Sequence, residues 1–87
     1  MSNGITRGDV VWLIGEIFQS DEQIRGGNKD RYVMGRRMAL AHVACRLLRV
    51  TRGGLDRYMT WVADQVEEGR RIGDLEEPAG WIRKNSA

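Results

Sequence analysis

Met34, Met38, Ala41, Cys45 and Leu48 recur at spacings of four, three, four and three. That period places all five side chains on one stripe of an α-helix and scatters them on any strand. The stripe predicts a helix over about residues 30–49, with Asn28 or Asp30 as its cap. Val33, Leu40, Ala44 and Leu47 widen the stripe, so this helix is expected to touch two neighbours and to form the centre of the domain. In a chain of 87 residues so long a helix leaves room for a few more elements and one modest core.

The flanking segments read as helices too. Thr6 followed by Asp9 is a variant capping box, and Val10, Leu13, Ile14 and Ile17 share a face beyond it, predicting a helix over about 7–19. "SDEQIRGGNKD" then reads as a loop around its glycine pair. Thr51 is the candidate cap of a third helix over about 54–69, whose apolar face is Leu55, Tyr58, Met59, Val62 and Val66. Pro78 suits the first turn of a short helix over about 77–84. No pair of alternating runs suggests a hairpin. The expected fold is therefore all-α, a small single-domain bundle of three main helices plus a short C-terminal one.

Charge is distributed unevenly behind a net value of +2. Residues 25–57 hold nine basic side chains against two acidic ones, Asp30 and Asp56, whereas both ends of the chain are acidic. A basic centre between acidic ends means an anion-binding face or internal pairing of the segments. With 100° per residue, Arg31, His42, Arg46 and Arg49 fall within about 60° of one another on the middle helix. Such a stripe suits a phosphate backbone. The alternative is a solvated edge whose arginine heads pair with acids of the neighbouring helices. A helix-turn-helix reading would add Arg52 and Arg57 at the start of the third helix, although Asp64, Glu67 and Glu68 on that helix oppose a duplex.

Trp12 sits away from the apolar face of the first helix, between Gly8 and Gly15, where another backbone can come close. Gly8, Trp12 and Gly15 are thus a candidate protein interface, one that would serve a homodimer. Trp61 flanks its helix's apolar face and is assigned to the core.

The chemistry-bearing residue types are sparse. His42 is the sole histidine and Cys45 the sole cysteine, without ligand spacing around either, so neither a metal nor any other cofactor is expected. No nucleophile–base pair, general acid–base pair or phosphate-cradling loop is spelled out, and a non-enzyme is the expectation. No apolar run reaches the length of a membrane span, and the first nine residues lack the pattern of a signal peptide. With a lone cysteine this suggests a cytoplasmic protein.

The tail string Pro78, Ala79, Gly80, Trp81, Ile82 and Arg83, following "GRRIGD", resembles a segment of plasmid and phage replication initiator proteins. It covers about a fifth of the chain, and the family's larger winged-helix body with its strands is not visible. The resemblance implies a mobile-element or replication context. The sequence thus leads to a small nucleic-acid-associated accessory protein, DNA favoured, binding through Arg31, His42, Arg46, Arg49, Arg52 and Arg57. The alternative is a module that binds a host protein complex as inhibitor or adaptor.

Overall fold

A computed structural model describes residues 4–86; the first three residues of the stretch read for a signal peptide lie outside it. The elements are α1 (Arg7–Arg25), α2 (Arg31–Leu48), α3 (Arg52–Glu67), a 3-10 turn (Ile72–Asp74) and α4 (Pro78–Asn85). Three main helices and a short terminal one are present, with no strand among the described residues. None of these helices is long and apolar enough to cross a membrane.

Each of the three main helices starts where a side chain satisfies an orphan backbone N–H, whereas α4 starts on Pro78, which has no N–H to satisfy. The Asp9 N–H donates to Thr6 Oγ1 at 3.1 Å, and the Thr6 N–H donates back to Asp9 Oδ2 at 3.0 Å, completing the capping box. That bond to the Thr6 backbone holds the Asp9 carboxyl below the usual carboxylate range. Asp30 accepts from the Tyr32 N–H at 2.8 Å and Thr51 from the Gly54 N–H at 3.0 Å. With Thr51 as cap, α3 begins at Arg52, three residues before its first core side chain, Leu55.

Two expectations need correction. The segment read as a loop after residue 19 continues α1 for six more residues, to Arg25. Ser20 is buried and donates to the Glu16 carbonyl, Asp21 is held by Arg37, and Glu22 pairs with Arg25. Gly26 and Gly27, the latter at φ 98°, end the helix nearly two turns later than the polar composition suggests.

Nor is α2 the centre of the domain. Only Ala41 and Ala44 of α2 are buried, while Tyr32, Met34, Met38, Val43 and Leu47 are exposed. The core lies between α1 and α3, built from Val10, Leu13, Ile14 and Ile17 against Leu55, Tyr58, Met59 and Val62. The two alanines let α2 sit close on both helices, and Leu40, Cys45 and Leu48 pack half-buried against the core beside them.

The tail is folded into the body rather than appended to it. Leu75 joins the core, and Arg7 on α1 donates to the Gly73 carbonyl at 2.7 Å and pairs with Glu77. Trp81 of α4 stacks on Trp61 at 5.3 Å and meets Tyr58 edge-on at 5.7 Å, which places Trp61 at the core as expected. Gly54 is buried beneath α4, where a Cβ would come within 3.0 Å of Ile82 Cγ2. A side chain there would push α4 off α3.

The buried Tyr58 hydroxyl donates to the Glu76 carbonyl at 2.7 Å. Burial pushes its ionisation well above the ordinary phenol range. In the unfolded chain a tyrosine ionises near 10. The neutral buried phenol therefore contributes fully below about pH 10 and loses that contribution as pH rises further. In a Tyr32→Phe background, tyrosinate ultraviolet absorbance is expected to grow only together with loss of helical circular dichroism. A phenol that ionises while the helices stay intact would show that Tyr58 is not sealed.

Candidate nucleic-acid interface

The arginines of α2 divide into two sets. Arg36 pairs with Glu16 of α1. Arg37, 13% exposed, donates through Nε to Asp21 Oδ1 at 2.7 Å and through Nη1 to Asp56 of α3 at 3.3 Å. Burial disfavours the Arg37 charge, but the hydrogen bonds and charges of Asp21 and Asp56 outweigh it and raise its pKa. This set joins α2 to its two neighbours.

Arg31, Arg46 and Arg49 form the second set, with His42 among them. All four are exposed, and no side-chain ion pair or hydrogen bond engages them among the described residues. Two acids of the neighbouring segments are committed elsewhere, Glu16 to Arg36 and Glu68 to Arg70. From Arg31 to Leu48, α2 contains no carboxylate at all. At 1.5 Å per residue the stripe from Arg31 to Arg49 runs about 27 Å along the helix. Its separation from the paired set follows from the helical repeat, because Arg36 and Arg37 fall on the side turned toward α1 and α3.

Arg49 caps α2 in the left-handed region, at φ 56° and ψ 49°. It is the sole non-glycine residue with positive φ among those described. Glycine or asparagine usually occupies this cap because a Cβ is strained there. Arg49→Gly is therefore expected to raise the unfolding free energy by about 0.5–1 kcal/mol, read from the denaturant midpoint. A midpoint that falls would show that the side chain supports the fold.

Arg52 and Arg57 do not extend the stripe in the same way. Arg52 is exposed at the first position of α3 and makes a loose 3.6 Å pair with Asp56. Arg57 is exposed and unpaired, but its guanidinium lies over Gly53, about 100° round α3 from Asp56 and hence away from the seam with α2. Thr60 and Asp56 line a different cleft with Asp21, Arg25 and Arg37.

Trp12 is 62% exposed and stands beside a shallow groove of about 340 Å³ between α1 and α2, lined also by Ile5, Asp9, Leu13, Val43 and Leu47. A Cβ on Gly15 would meet nothing within 4 Å, and one on Gly8 only Thr6 Oγ1 at 3.7 Å. Neither glycine is needed for packing within the chain. Leu47 was expected to widen the core stripe, and only the placement of α1 on α2 reveals it, with Val43, as surface. Among the described residues no His, Cys, Asp and Glu cluster is arranged to hold a metal ion. No family model, curated protein or solved structure matches the chain.

Proposed function

We propose that this protein is a small nucleic-acid-associated accessory factor that grips the phosphate backbone through the outer face of α2, without catalysis. The observation carrying this reading is the unneutralised stripe of Arg31, Arg46 and Arg49 on a helix free of carboxylates. Guanidinium groups without an internal partner are available for bidentate phosphate contacts. Arg49 adds support, since an arginine retained at a strained cap favours a role for its side chain over a role in folding. His42 lies on the same face, and Arg52 and Arg57 on α3 are peripheral contacts. The resemblance of the tail to replication initiators supports a phage or plasmid context.

The test is a salt series with duplex DNA. Wild-type affinity is expected to fall steeply with salt, and Arg46→Ala with Arg49→Ala to weaken it about tenfold or more. Loss of two phosphate contacts should also lower the slope of log K against log salt by about 2. A protein not retained on DNA even at low salt ends the proposal.

A second reading is favoured by the exposed Tyr32, Met34 and Met38, which border the arginines. Aromatic and methionine side chains beside arginine are typical of protein-binding surfaces. Under it, α2 meets an acidic groove of a host complex, and Met38→Lys would weaken that complex while leaving DNA retention absent in both proteins.

A further inference from the structure

We infer that the groove between α1 and α2 is a self-association surface, closed by a second copy of this chain around a two-fold axis. This inference is independent of the nucleic-acid reading.

The surface carries both halves of an isologous contact. Trp12 projects from it, while Ile5, Leu13, Val43 and Leu47 line the hollow beside it. A two-fold pairing makes each patch its own complement, so that each indole lies in the other copy's groove. Gly8 and Gly15 flank Trp12 on α1, and the open space at Gly15 gives the second copy room to approach.

The area fits a second copy. The exposed part of Trp12 alone is roughly 150 Å². Leu47 at 53%, Val43 at 45% and Ile5 at 37% exposure bring the patch to several hundred Å². A standard interface buries about 800 Å² per partner, a little over half of it apolar. The patch supplies most of that apolar part, and α2 buries little within its own chain to compensate for leaving it wet.

Dehydrating the groove costs the hydration of one carboxylate, which keeps its main-chain partner. Asp9 is its sole ionisable lining residue, and its carboxylate already accepts from the Thr6 N–H at the start of α1. An acid so held, at a helix N-terminus, can be covered without losing its partner.

Sedimentation equilibrium of the full chain without nucleic acid is the experiment. Wild type is expected to dimerise with a Kd tighter than about 100 μM. Trp12→Ala and Leu47→Lys should each weaken the dimer at least about tenfold while keeping wild-type helical circular dichroism, both side chains being exposed. A wild-type chain that stays monomeric overturns the inference, as does a dimer that survives both substitutions. Monomeric protein that still binds DNA with steep salt dependence removes the dimer and leaves the proposed function standing.

Discussion

Trp81→Ala is expected to destabilise the fold by about 3 kcal/mol, the largest single-residue effect among those put forward. The indole stacks on Trp61 and meets Tyr58 edge-on, so its removal strips two aromatic contacts at once. It also frees α4, which covers Gly54 through Ile82 and follows the segment whose Glu76 carbonyl accepts the Tyr58 hydroxyl. Detached, the tail would expose the Tyr58 ring and strand its hydroxyl. For a domain of this size each kcal/mol moves Tm by about 4–8 °C, so a drop of roughly 12–24 °C is the calorimetric expectation. Unchanged stability would mean that the tail is peripheral, and the three-ring cluster would lose its structural role.

Arg37→Ala comes next, with an expected loss of about 2 kcal/mol. Among the described residues, Arg37 is the one side chain whose ion pairs bridge α1 and α3 from α2, through Asp21 and Asp56. Its removal leaves two carboxylates lining one cleft without the cation between them. Half-exposed Asp56 can rehydrate, which keeps the cost below that of a sealed pair. Arg37→Lys should recover only part of the loss, because an ammonium reaches one carboxylate at a time where the guanidinium forks to both. Chemical denaturation of the two variants measures the difference. Equal stability of wild type and Arg37→Ala would show that α2 is held without this bridge, by its apolar contacts and the Arg36–Glu16 pair.

These two sites show different degrees of legibility. That Pro78–Arg83 forms a helix could be read from the proline and the aromatic–aliphatic pair. That its tryptophan closes a cluster with Tyr58 and Trp61 could not, because the contact joins residues far apart in the chain. The helical repeat sets Arg37 near the Met34–Cys45 stripe, yet nothing local distinguishes a buried bridge from a solvated edge. Ile24, seven residues after Ile17, continues the α1 face and was the signal for the missed last turns; polar neighbours and the glycine pair obscured it.

Helix type and helix starts were within reach of the sequence, since capping and a 3.6-residue period are local physics acting over four or five residues. Which apolar stripe becomes core was not. The stripe on α2 splits: Ala41, Cys45 and Leu48 face the core, whereas Met34 and Met38 in its first half are left on the surface. Which arginines are spare was equally a tertiary matter. Every acid is visible in the chain, but only packing brings Glu16, Asp21 and Asp56 to Arg36 and Arg37 and leaves Arg31, Arg46 and Arg49 without a carboxylate. Ion pairing acts over a few ångströms of space, and that separation is set by how helices dock rather than by their order.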